Sequence, residues 1–170
     1  MKNLSLTAFL AAMAMAGTAY VTIAPLSAAS TTTTMPVSAT VTNNCTIATN
    51  PIAFGSYDPI VAHASADLDA AGAVTIACTK GAVTCIGMDT GVNAASSTRR
   101  MSSGADFLTY ELYQDSSRST VWGNSGGALY NSGTSPSKDA RTFQVNGRIT
   151  AGQDVSAGSY TDTVTATVNF

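Results

Sequence analysis

Three groups of residues carry the types from which chemistry is usually built. The first is Gly123-Asn124-Ser125-Gly126-Gly127, with His63 upstream and Asp89 or Asp106 between them. A serine in a tight Gly-flanked turn, with an imidazole as base and a carboxylate to orient it, is the constellation for acyl transfer. The second is metal-ligand chemistry. His63 is the only histidine, and Asp67 and Asp69 sit two residues apart in a stretch of small residues. Zinc needs several His, Cys, Asp or Glu ligands at suitable spacing, and calcium loops are denser in oxygen donors than this one. The third is the set of three cysteines, which leaves at least one unpaired.

The serine segment and the order His, Asp, Ser resemble trypsin-like serine proteases, but Asn124 stands where that family carries Asp. A mature chain of about 140 residues is also too short for the two barrels that hold such a triad, although it suits one domain with one core. A Gly/Ser/Asn run between strands is an ordinary loop composition. No catalytic residue, metal site or cofactor is therefore assigned, and the chain reads as a non-enzyme. Trp122 and the six tyrosines read as packing residues, and Arg99-Arg100 as a solvated charge pair.

Composition points the same way. Lys2 is the only charge before Asp58. The apolar stretch from Leu4 to Ala24, the break at Pro25 and the small residues Ser27-Ala28-Ala29 read as a secretory signal over residues 1–29, cut after Ala29. Ten acidic side chains face eight basic ones, of which Lys2 leaves with the signal. That balance offers no footprint for nucleic acid. Export makes disulfides permissible, and the abundance of Thr, Ser, Ala, Gly and Val suits strands and turns.

Period-two alternation supports that reading. Met35, Val37, Ala39 and Val41 share one face, with Pro36 suiting an edge. Further strands are expected at Phe54–Asp58, Gly72–Thr79, Ala82–Asp89, Phe107–Gln114, Thr120–Trp122, Arg141–Ile149 and Tyr160–Phe170. Lys80-Gly81 is expected to make a tight hairpin between the second and third of these. Residues 90–106 and most of 115–140 read as loop. Short strands separated by turn signals argue for an antiparallel sandwich. Face parity groups Cys78 with Val74 and Ile76, and Cys45 with Val37, Ala39 and Val41, while Cys85 lies opposite Ile86 and Met88. A disulfide needs converging Cβ vectors, so Cys45–Cys78 is the expected pair and Cys85 the free thiol.

The order of several segments now matches a known family. Cys45-Thr46-Ile47 precedes Ile52-Ala53-Phe54-Gly55-Ser56-Tyr57-Asp58. Val74-Thr75-Ile76-Ala77-Cys78 and Ile86-Gly87-Met88-Asp89-Thr90-Gly91 follow, then Arg99-Arg100-Met101 and Leu108-Thr109-Tyr110-Glu111-Leu112. Val145-Asn146-Gly147-Arg148-Ile149 and Gly158-Ser159-Tyr160-Thr161-Asp162-Thr163-Val164 close the set. Together they resemble the spore coat protein U domain, found also in Csu-like subunits of archaic chaperone–usher pili.

The resemblance implies an all-β, incomplete immunoglobulin-like antiparallel sandwich that lacks one strand and is completed by a donor strand. Residues 30–43 would be the donor segment, with Met35, Val37, Ala39 and Val41 as its plugs, and residues 44–170 the pilin domain. Val164, Ala166, Val168 and Phe170 would border the groove and meet a chaperone. The implied partners are neighbouring subunits in a homopolymer, a periplasmic chaperone and an outer-membrane usher. The implied location is a pilus at the cell surface, and the implied role adhesion and biofilm formation. The resemblance also implies a Cys45–Cys78 disulfide and supplies no counterpart for Cys85. Two alternatives are a self-complete secreted coat or surface protein and a carbohydrate-binding module.

Overall fold

The computed structural model describes residues 27–170. Most of the expected export signal, residues 1–26, lies outside the described residues. The chain divides into two units, Met1–Ala39 and Thr40–Phe170. Residues 27–44 form no strand, and Met35, Val37 and Val41 are each more than four-fifths exposed. The alternation there has no partner.

From Cys45 onward the chain is all-β. Its strands are β1 (Cys45–Asn50), β2 (Leu68–Cys78), β3 (Val83–Met88), β4 (Arg100–Ser103), β5 (Asp106–Thr109), β6 (Glu111–Tyr113), β7 (Tyr130–Thr134), β8 (Arg141–Ile149) and β9 (Ala166–Asn169). They make a four-stranded sheet in the order β1-β2-β8-β6, a three-stranded sheet in the order β7-β3-β9, and the hairpin β4-β5. Every strand pair is antiparallel. One 3-10 turn, Gly126–Ala128, is the only helical piece among the described residues.

Alternation explains the core. Val74, Ile76 and Cys78 of β2, Ile86 and Met88 of β3, and Val145 and Ile149 of β8 all point inward and are buried. Leu108, Tyr110 and Leu112 join them from β5, β6 and the residue between. Trp122 is fully buried in the same cluster, and its indole N–H donates to the Ile86 carbonyl at 2.9 Å. The indole thus fills the core without leaving a buried donor unpaired.

Several expectations are corrected. β2 and β3 form no hairpin. Ala82 N–H bonds back to the Thr79 carbonyl, and Gly81 takes φ +89°. That tight turn carries the chain from one sheet to the other. Cys78 therefore faces Cys45 in register and is disulfide-bonded to it, while Val83 faces Thr134. Phe54–Asp58 is not a strand. Gly55 has φ +78°, and the Asp58 carboxylate accepts the N–H groups of Ile60 and Val61, which curls the chain into a turn. Of Tyr160–Phe170, only Ala166–Asn169 is strand.

β4 lies inside the supposed loop 90–106, and β7 inside the Gly/Ser/Asn-rich region. The inward face of β7 carries Tyr130, which stacks on Trp122, and then Ser132, whose hydroxyl bonds buried Thr84, so apolar alternation breaks off after one residue. Arg99 is not solvated; it is 2% exposed.

Candidate functional site: an apolar cleft between two sheet ends

β1 ends the four-stranded sheet and β9 ends the three-stranded one, so each has a single strand neighbour. A cleft of about 370 Å³ opens beside them. One wall continues from β1 through Ile52 and Phe54; the other is the segment Tyr160–Ala166. Met88, Leu112 and Val145 contribute from the core, with Met101 and Tyr110 alongside. A second cleft of about 850 Å³ shares Ile52, Phe54, Met101 and Tyr160 with the first and reaches Leu108, Ile149 and Val155. The two form one trough along the 49–60 segment.

Two glycines let that wall approach. A Cβ on Gly72 would stand 2.6 Å from an Ile52 methylene and 2.7 Å from the Asn50 carbonyl. A Cβ on Gly147 would stand 2.7 Å from the Phe54 ring. Their bare backbones let Ile52 and Phe54 lie against the sheet. Phe54 then meets Tyr110 edge-on, with ring centroids 6.2 Å apart.

A hydrogen-bonded polar group sits within the cleft. Tyr110 donates its hydroxyl proton to Asp162 Oδ2 at 2.7 Å. The other oxygen of Asp162 accepts the backbone N–H and side-chain amide of Asn93. Burial, and then the neighbouring Asp162 carboxylate, hold the Tyr110 hydroxyl far above its ordinary range, so it stays a neutral donor. Asp89 fixes the far wall in the same way, accepting the N–H groups of Thr165 and Gly91.

Arg99 organises this region from inside the core. Its guanidinium donates to the carbonyls of Met88 (3.0 Å), Asp89 (2.7 Å) and Trp122 (2.7 Å), and it pairs with Glu111. The guanidinium offers five N–H donors in a fixed planar fork, against three on an ammonium, so one side chain meets all four partners. These acceptors lie on segments far apart in the sequence, so no local pattern announced the role.

Of the expected groove-edge residues, Val164 and Ala166 line the cleft. Val168 packs against the core and pairs with Ile86 of β3, outside the lining. Phe170 is 55% exposed. Met35, Val37, Ala39 and Val41 stand on an exposed segment.

The residues that suggested acyl transfer have other partners. His63 stacks on Tyr57, and its Nδ1 lies 3.1 Å from the Ala66 carbonyl. Asp106 accepts from Ser156, and Ser125 makes no side-chain cap bond at its 3-10 turn. Asp69 pairs with Arg148 and Arg118, and Asp67 with Arg148. Among the described residues no cluster of three or more His, Cys, Asp or Glu side chains could hold a metal ion. Cys85 is a half-buried free thiol on β3.

The class defined by this fold and site is an antiparallel all-β protein whose two sheets leave an apolar trough beside their ends. The chain belongs to the Spore Coat Protein U domain family, whose model matches residues 31–167. It is 35% identical over 170 residues to Protein U of Myxococcus xanthus, covering 91% of this chain and 93% of that protein. Among solved structures it is similar to a chain of the CsuC–CsuE chaperone–tip adhesion subunit pre-assembly complex, from the archaic chaperone–usher Csu pili of Acinetobacter baumannii. That likeness has a TM-score of 0.58 at 25% identity, and it covers 77% of this chain and 41% of the other.

Proposed function

We propose that this protein is an exported structural subunit of a chaperone–usher surface pilus and polymerises by donor-strand exchange. The trough beside β1 and β9 carries the proposal, because it is apolar and flanked by strands with an open edge. In this reading the domain is an incomplete immunoglobulin-like sandwich. The segment 30–43 of one copy lies in the trough of another and adds main-chain hydrogen bonds to β9. Met35, Val37, Ala39 and Val41 enter as plugs. Burying each larger one is worth about 1.5–3 kcal/mol.

An open edge beside an apolar trough is an aggregation hazard. A periplasmic chaperone is the partner that would cover it before assembly at an outer-membrane usher. The chaperone–subunit complex among the structural neighbours supports that partner. The resulting fibre would serve adhesion and biofilm formation, with no enzymatic step and no nucleic acid.

The test is to produce the protein in a periplasm with and without a truncation of residues 30–41, and to run it unheated in SDS. Ladders that heating collapses, present for the full chain and absent for the truncation, are the expected result. The likeness to Protein U favours a second reading, a self-complete coat or surface protein. A stable monomer that tolerates the truncation would establish that reading and refute ours.

A further inference from the structure

We infer that the Met35 thioether is an oxidation site that switches the donor segment off. This rests on the donor-strand reading above. Three methionines fall within the described residues, and all three sit on the proposed assembly elements. Met88 and Met101 line the cleft, and Met35 lies on the donor segment. Their exposures rank their reactivity. Met88 is 5% exposed, Met101 is half-buried, and Met35 is 83% exposed.

A peroxide reaching the unassembled subunit therefore meets Met35 first. The sulfur attacks the peroxide, the O–O bond breaks and an S–O bond forms. Sulfur loses two electrons, and hydrogen peroxide leaves as water. The product is a sulfoxide, which methionine sulfoxide reductases reverse. It replaces a flexible apolar plug with a polar one.

The apolar trough makes that change matter. Apolar side chains dominate its lining, and its Tyr110–Asp162–Asn93 group is already satisfied internally. A buried S=O without a donor costs enough to weaken insertion by roughly tenfold or more. Oxidation would spare a subunit's own cleft while disabling its donor. Once inserted in a neighbour, Met35 would be shielded. The switch therefore acts on free subunits and not on finished fibre.

Two measurements test this. In the first, full-length wild type and Met35→Leu are treated with hydrogen peroxide, the sulfoxides are mapped by mass spectrometry, and ladder formation is scored. Met35 should gain oxygen before Met101. Oxidised wild type should lose ladders at least about tenfold, a reductase should restore them, and oxidised Met35→Leu should keep them. In the second, synthetic peptides of residues 30–43 carrying Met or its sulfoxide at position 35 are added to the full-length protein during assembly, and the peptide bound is measured alongside ladder formation. The sulfoxide peptide should bind at least about tenfold more weakly. Equal binding of the two peptides, or equal ladder loss in oxidised wild type and Met35→Leu, would overturn the switch and leave donor exchange standing. Failure of the unoxidised peptide to bind and of untreated protein to form ladders would refute donor exchange and the switch with it.

Discussion

Two stretches of this chain alternate with equal clarity and meet different fates. Residues 35–42 and 163–169 both place small or apolar side chains on one face and mostly hydroxyl-bearing ones on the other. The C-terminal stretch is bound to its domain. Val168 faces Ile86, Ala166 faces Met88, and Asp89 accepts the Thr165 N–H. The N-terminal stretch is exposed and in no strand, although at its end the Thr42 carbonyl accepts the Thr79 hydroxyl at 3.3 Å. Alternation thus states only that one face of a segment can be buried. It does not say where the partner edge is, or whether it belongs to the same molecule.

The largest expected effect lies where free chain becomes sheet. Cys45 is both the first residue of β1 and half of the disulfide. Replacing Cys45 and Cys78 with serine should cost about 3–4 kcal/mol, read as a lower urea midpoint. It should also raise amide exchange in Thr46–Asn50, extending the unpaired segment into β1. Unchanged exchange there would mean that the β2 ladder alone holds β1.

Substituting the C-terminal stretch should come next. Val168→Asp sets a carboxylate against the core cluster and should destabilise by about 1–3 kcal/mol. The same change at the other stretch, Val37→Asp, should move monomer stability by less than about 0.5 kcal/mol while abolishing SDS-resistant ladders. Equal stability losses would erase the contrast between the two stretches.

The smallest effect is acid-dependent. Burial raises the Asp89 pKa, but hydrogen bonds from the Thr165 and Gly91 N–H groups outweigh it and hold the carboxyl below its ordinary 3.8. A depressed carboxylate pKa gives stabilisation that is complete above the ordinary value and lost as pH falls through the lowered one. The Thr165 amide should therefore stay protected down to the ordinary value of 3.8 and lose exchange protection as pH falls further, while β9 amides keep theirs. Asp89→Asn should remove the pH dependence. A Thr165 amide equally protected in acid would show that Asp89 does not anchor this wall.

Legibility in the sequence followed the locality of the cause. Val74, Ile76 and Cys78, or Val145 and Ile149, declare an inward face because burial imposes period two on neighbours in the chain. β1 is an edge strand exposed along most of its length, so it shows no alternation. β7 turns Ser132 inward and satisfies it with Thr84, which looks like loop composition until the partner is seen. Arg99 read as a surface charge because its acceptors, Met88, Asp89, Trp122 and Glu111, come together only on folding. A groove edged by Val164 and Ala166 was a family expectation. The wall opposite them was not legible, since it depends on Gly72 and Gly147 giving way to Ile52 and Phe54.

Side-chain alternation alone was enough for the inward faces of β2, β3 and β8 and for a chain of strand and turn. Those properties follow from side-chain direction along a pleated backbone, which neighbouring residues decide among themselves. The parting of β2 and β3 into different sheets, the burial of Arg99, and the placing of β1 and β9 as sheet ends beside an apolar trough came from the folded arrangement. Strand order and edge placement arise from contacts between segments distant in the chain, and a period-two pattern carries no record of them.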